Sequence, residues 1–209
     1  MKLIENLKWR YATKKFDASK KVSANNLEKL KEAVQLSVSS YGLQLYKVLI
    51  IQNSDIREQL KPVSWNQSQI TDASHLFVFC NYTDASPEAI DAFIKQTAAT
   101  RNLDLERLSG YGDFIKTKLA EKSQEEKTSW LKSQTYLALG NLLNACAELK
   151  IDACPMEGFE PEAYNKILDL KKQGLNAAVI APIGYRHKED NTIGLPKVRK
   201  AIEILFDTL

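Results

Sequence analysis

The chain has 209 residues, 44% hydrophobic and 26% charged, which is length enough to bury a substantial core in one domain. Its 29 Lys and Arg against 26 Asp and Glu leave a formal charge of +3, and both signs interleave along most of the chain, which argues against a nucleic-acid platform. No run approaches the ~20 apolar residues of a membrane span, and the opening M-K-L-I-E-N-L-K-W-R-Y lacks the apolar centre of a signal peptide. Cys80, Cys146 and Cys154 lie in apolar stretches and cannot all pair with one another. They read as reduced, buried thiols of a cytoplasmic protein.

In chain order, Leu3, Ile4 and Leu7 make a short helical pattern, followed by the basic, aromatic segment Arg10–Phe16. Ser23 caps a helix whose Leu27, Leu30 and Val34 recur at helical spacing, and Ser37–Gly42 is a small polar loop. Leu45–Gln52 is apolar and β-branched, so it reads as a strand, and Ser54 caps a short helix that stops before Pro62. After Ser64–Gln67 comes a second strand, His75–Tyr82. Ser86-Pro87-Glu88 opens a helix. From Ala89 to Lys122 we expect an excursion of one or two helices, interrupted at Ser109-Gly110-Tyr111-Gly112. Ser123-Gln124-Glu125-Glu126 matches a capping box. The helix that it opens runs toward Lys150 and becomes apolar nearly all round, the pattern of a helix buried in a domain centre or an oligomer interface. Pro161 starts another helix, Ala177–Ile183 is a third strand, and Ala201–Phe206 reads as a last one. No repeat or linker divides the chain, so residues 1–209 are expected to form a single α+β domain.

The segment most like part of a site is Pro155-Met156-Glu157-Gly158, a turn in which proline fixes one φ and glycine relaxes another. Such a turn can aim two consecutive backbone N–H groups at a ligand. Two histidines and no C-x-x-C make a zinc or iron site a poor reading, and His75, heading an apolar strand, is expected to be structural. G-x-S-x-G, G-x-G-x-x-G and the phosphate-binding G-x-x-x-x-G-K-[ST] are all absent. A bound phosphate must therefore be held by side chains, with Arg10 and Lys14 near the start and Lys197 and Arg199 near the end as candidates. Spacing alone does not bring them together.

Several segments together resemble the FMN-dependent nitroreductases. R-Y-A-T-K-K-F at Arg10–Phe16 is similar to the family's R-Y-S-T-K-x-F, and V-S-S-Y-G-L-Q at Val38–Gln44 to its P-S-S-x-N-x-Q loop. Asp72–His75, Gln134–Asn141, P-M-E-G-F at Pro155–Phe159 and L-P-K-V-R at Leu195–Arg199 follow in the family's order. Only about Thr83–Ser129 does not align. The resemblance implies a nitroreductase-like fold, with a central mixed β-sheet surrounded by helices in an intertwined homodimer. It also implies FMN as cofactor and NAD(P)H as co-substrate, as in the oxygen-insensitive nitroreductases, flavin reductases and dihydropteridine reductases.

Carried over residue by residue, it assigns Arg10, Lys197 and Arg199 to the FMN phosphate, where guanidinium and ammonium groups match a dianion. Lys14 would face the N1/O2 edge, where reduction builds negative charge. Asn66 would bond the pyrimidine edge, and the Glu157 and Gly158 N–H groups would face N5 and O4. Ser39 and Ser40, with Gln134 and Leu137, would come from the other subunit. Ala12, Gly42, Gln69, Pro155 and Met156 complete the expected cofactor-binding set, and Glu157 and Lys14 are the expected catalytic residues. Departures are Ala12 for the family's serine, Val38 for its proline, Gly42 for its asparagine and Gln69 for a basic residue near the flavin in some relatives. Tyr111 or Phe114 could roof the substrate, whereas Trp65 and Trp130 are expected to pack. A flavin-binding dimer without turnover, a cofactor-free interaction domain and a relative with another acceptor remain alternative readings.

Overall fold

A computed structural model describes residues 1–209. Its spine is β2 (His75–Tyr82), paired on one side with β1 (Tyr46–Ile51) and on the other with β4 (Leu175–Gly184). The short β3 (Asp152–Ala153) adds to the far edge of β4, giving the order β1-β2-β4-β3. All three pairings are antiparallel, with Leu49 opposite Val78 and Val78 opposite Ile180. The sheet is therefore antiparallel rather than mixed, and parallel geometry survives only in the single bridge Ala12–Ala153.

Strand alternation sends the side chains of β2 into two cores. Leu76, Val78 and Cys80 pack with Leu60, Ile70, Phe159, Tyr164 and Leu170. Those partners come from α3 (Ser54–Leu60), α4 (Gln69–Asp72), α8 (Pro161–Ile167) and their flanking loops. Phe77 and Phe79 face the other way, onto Leu30 and Val34 of α2 (Ala24–Gln35) and Ala138, Leu142 and Cys146 of α7 (Gln124–Glu148). The sheet is thus covered by helices on both faces, an α+β arrangement. α1 (Lys2–Trp9) lies against α7.

Most local signals are realised. Ser23 Oγ accepts from Asn26 N–H, Ser86 Oγ accepts from Ala89 N–H, and the Ser123–Glu126 capping box forms in both directions. The α3 cap moves back one residue, because Asn53 Oδ1 rather than Ser54 accepts from Ile56 N–H, at 3.0 Å. The excursion is two helices, α5 (Pro87–Arg101) and α6 (Glu106–Ala120), with a small core of their own around Ile90, Ile94, Ile115 and Leu119. The break falls at Asn102, whose φ of 50° closes α5 in the left-handed region. Gly110 and Gly112 lie inside α6, where a Cβ on Gly112 would sit 3.1 Å from Ile94. Gly112 thus serves close helix packing rather than an interruption.

The last strand does not form. Ile202–Leu205 is the one-turn α9, fully exposed, because a strand needs a hydrogen-bonded neighbour and the chain supplies none there. The three cysteines are buried and unpaired. His75 is buried with Nδ1 2.9 Å from Ser74 Oγ, as expected of a structural histidine. No helix is long and apolar enough to cross a membrane.

Candidate functional site

The sheet edge places the central turn. Asp152 and Ala153 pair with Gly184 and Ile183, and Met156 then bridges Ile180, with Met156 N–H donating to the Ile180 carbonyl at 2.8 Å. The next two N–H groups, of Glu157 and Gly158, donate to nothing within the chain, whereas that of Phe159 turns back onto the Glu157 carbonyl at 2.9 Å. Gln67 holds the turn by donating its Nε2 to the Gly158 carbonyl at 3.0 Å. Two adjacent free donors at a fixed turn make a site for an electron-rich acceptor.

Arg10 ends α1 in an extended conformation, and the chain from there runs along the same sheet edge, pinned by the bridges Ala12–Ala153 and Phe16–Arg186. Arg10, Ala12 and Pro155 line one cavity of about 320 Å³ with Lys197 and Arg199 from the other end of the chain. Lys197 Nζ donates to the Arg10 carbonyl. No carboxylate lines this cavity. Burial lowers the Arg10 pKa, and the Arg199 charge lowers it further. Lys197 is lowered likewise, by desolvation and then by Arg10, Arg199 and Arg186. Cations held together without an acid are complementary to a polyanion such as a phosphate. The Tyr11 hydroxyl, beside this cavity, is buried and has no hydrogen-bond partner.

Lys14 is exposed, two residues along the chain from Ala12, and does not line the cavity. Trp65 and Asn66 both have left-handed backbones, φ 55° and 53°, and the Asn66 side-chain amide makes no bond within the chain. Trp65 is not a packing residue of the interior. It is 69% exposed, with its ring edge against Gly158, where a Cβ would lie 2.8 Å from Trp65 Cζ3. Trp130 does pack, against Tyr41 at 6.4 Å between centroids. Gln69 is buried in the first turn of α4.

The remaining expected residues form a second group. Gln134 Oε1 on α7 accepts from Ser40 N–H at 2.8 Å, Ser39 Oγ accepts from Gln44 N–H at 2.9 Å, and Gly42 turns with φ 77° against Phe93. Leu137 projects from α7, 47% exposed. Its neighbour Tyr136 joins the two groups by donating its hydroxyl to Glu157 Oε1. Burial, and then the hydrogen bond to Glu157, push the Tyr136 pKa up to about 12. Tyr111 and Phe114 are about half exposed on α6.

Three supporting side chains escaped the sequence reading. Asp152, 4% exposed, accepts from Arg186 N–H and Nε, both at 2.8 Å, and from Thr13 Oγ1 at 3.4 Å. The Arg186 guanidinium stacks over Trp9 and Tyr11, at 4.4 and 4.6 Å from the ring centroids. Asp190, also buried, accepts from the N–H groups of Lys14, Lys15 and Thr192. Only the position of Asp152, two residues before Cys154 and the central turn, hinted at any of this.

The nitroreductase family model matches residues 7–185. The chain is 34% identical to the major NAD(P)H-flavin oxidoreductase of Aliivibrio fischeri, over 99% of this chain and 98% of that protein. It is 30% identical to the oxygen-insensitive NAD(P)H nitroreductase of Salmonella typhimurium, over 93% of each. Among solved structures, a nitroreductase-like protein from Streptococcus mutans superposes with a TM-score of 0.86 at 19% identity, covering 99% of this chain and 97% of that one. An Exiguobacterium sibiricum protein solved in complex with FMN gives 0.84 at 19% identity, with the same coverage. The matched span, the sheet and its two helical layers agree, and the chain belongs to the nitroreductase family.

Proposed function

We propose that residues 1–209 form a single FMN-dependent NAD(P)H oxidoreductase domain that works as a homodimer in the cytoplasm. The observation that carries this reading is the pair of free N–H groups at Glu157 and Gly158 beside an acid-free cavity lined by Arg10, Lys197 and Arg199. A flavin mononucleotide has the matching chemistry, a dianion at one end and ring acceptors at the other. Arg10, Lys197 and Arg199 would hold the phosphate. Lys14 would place positive charge against the pyrimidine side, favouring reduction. Asn66 would bond the ring edge with its unused amide, and the two backbone donors would orient the ring. Glu157 would contribute through its backbone, with its carboxylate held aside by Tyr136.

When bound, the flavin supplies two-electron hydride chemistry between a reduced nicotinamide and an acceptor. The relatives' names support NAD(P)H as donor, and we infer ping-pong turnover with nitroaromatics, quinones, free flavins or pterins as acceptors. The separate group of Ser39, Ser40, Gly42, Gln134 and Leu137 supports the homodimer. Leu137 and the apolar tail residues Ile202, Ile204 and Phe206 are exposed in one chain, and a second copy would cover such surface.

The test is the visible spectrum of the purified protein before and after anaerobic NADPH or NADH. A yellow protein whose released cofactor chromatographs as FMN, and which bleaches with a nicotinamide, is the expected result. Colourless protein that also fails to take up added FMN would overturn the proposal, and reduced protein that no acceptor reoxidises would reduce it to flavin binding.

A further inference from the structure

Asp190 has no part in the roles above, yet it is the last buried residue of the chain, 4% exposed, with everything after it open or partly open to solvent. Its two oxygens serve different segments. Oδ2 accepts the N–H groups of Lys14 at 2.8 Å and Lys15 at 3.1 Å. Oδ1 accepts the N–H of Thr192 at 2.8 Å and its hydroxyl at 2.6 Å. The first segment carries Arg10 and Lys14, and the second opens the strap that carries Lys197 and Arg199. His187 N–H, donating to the Lys15 carbonyl at 2.9 Å, holds the loop of Asp190 to the first segment. Beyond Ile193 the only hydrogen bond from the strap to the body of the protein is Lys197 Nζ to the Arg10 carbonyl.

This requires a carboxylate. Both oxygens receive donors, and an ionised aspartate is acceptor-only on both. An asparagine would turn its NH2 toward N–H groups on one side. These acceptors are spent on amides and a hydroxyl, so Asp190 makes no ion pair with the cations it places.

Resting on the FMN reading above, we propose that Asp190 is a positioning residue that sets the two cationic arms in register, so that Lys14 and Arg199 act on one bound flavin phosphate ester together. FMN titration of apoprotein tests it in four forms: unaltered, Asp190→Asn, Arg199→Ala and the double variant. Each single change is expected to raise the FMN dissociation constant roughly tenfold or more, since charge-assisted hydrogen bonds are lost. The double variant is expected to bind much better than the product of the two losses predicts, the mark of residues acting through one another. At saturating FMN, Asp190→Asn is also expected to shift the flavin midpoint potential to more negative values, because Lys14 no longer sits at the ring edge. Purely structural damage would leave the bound potential unmoved.

Additive losses, an unmoved potential or normal FMN affinity in Asp190→Asn would overturn the proposal while leaving the phosphate assignment standing. Normal affinity in Arg199→Ala alone would overturn the assignment and the proposal with it. If circular dichroism finds Asp190→Asn unfolded, Thr192→Val, which removes one donor to Oδ1, takes its place in the cycle: coupling to Arg199→Ala supports the proposal, and additivity overturns it.

Discussion

Trp65 lies so close to Gly158 that a Cβ there would come within 2.8 Å of its Cζ3 and 2.9 Å of its Cε3. That close approach, rather than an unusual φ, is what requires glycine at this position. The same glycine supplies one of the two free N–H groups of the central turn.

Gly158→Ala is therefore expected to displace the indole and the Gln67 amide, whose Nε2 would lie 3.1 Å from the new Cβ. Turnover should fall about tenfold, as small misplacements at a reacting centre do. Because Trp65 is mostly exposed and its ring can be removed without a core cavity, adding Trp65→Ala should restore part of the loss. Steady-state kinetics of the single and double variants measure this.

Arg199→Ala tests the cationic cavity. Arg199 is exposed and donates only to the neighbouring Val198 carbonyl, at 2.7 Å, so the melting temperature of the apoprotein should hardly change. FMN affinity should fall roughly tenfold, and the dependence of that affinity on salt should weaken with one cation fewer. Unchanged affinity would remove Arg199 from the phosphate site.

Asp152 and Arg186 are expected to behave as a buried pair. Asp152→Ala strands a guanidinium whose side chain is only 24% exposed, and losing one partner of a buried pair costs about 3–5 kcal/mol. The cost should appear in the urea midpoint. FMN affinity should fall as well, because Thr13 and the Trp9–Tyr11 stack lose their anchor.

Acid should release the strap before it unfolds the core. Burial pushes the Asp190 pKa up, but the hydrogen bonds from Thr192, Lys15 and Lys14 outweigh it and hold the group at about 2. A folded pKa below the unfolded value near 4 means stability that is complete above about pH 4 and is lost as pH falls toward 2. Tryptic cleavage is impractical there, so pepsin susceptibility of residues 193–209, rising over that window in the unaltered protein and absent as a pH effect in Asp190→Asn, is the measurement.

The thiols should be silent in the native state. Burial raises the pKa of Cys80 to about 12 and raises those of Cys146 and Cys154. Since the thiolate is the reactive form, a disulfide reagent at pH 8 should label none of them until denaturant is added.

Much of the fold and part of the candidate site were legible in the sequence. The caps at Ser23, Ser86 and Ser123, the strands at β1, β2 and β4 and the turn at Pro155–Gly158 are written in residues close together along the chain. Local propensity, capping and period act over a few residues, so the order of letters suffices for them. The tail misled because apolar, β-branched residues signal a strand only where a neighbour completes its ladder, and Ile202–Leu205 has none in the chain. Gly112 misled because a glycine that admits Ile94 from another helix looks the same, in sequence, as one that breaks a helix. What the tertiary structure alone decided is which distant residues share one place. Arg10 and Lys197 line one cavity, Asp152 holds Arg186, and Asp190 gathers Lys14 and Thr192. Arg10 and Lys197, and Lys14 and Asp190, stand more than a hundred residues apart, and their charges and hydrogen bonds depend on distances in space that spacing along the chain does not encode.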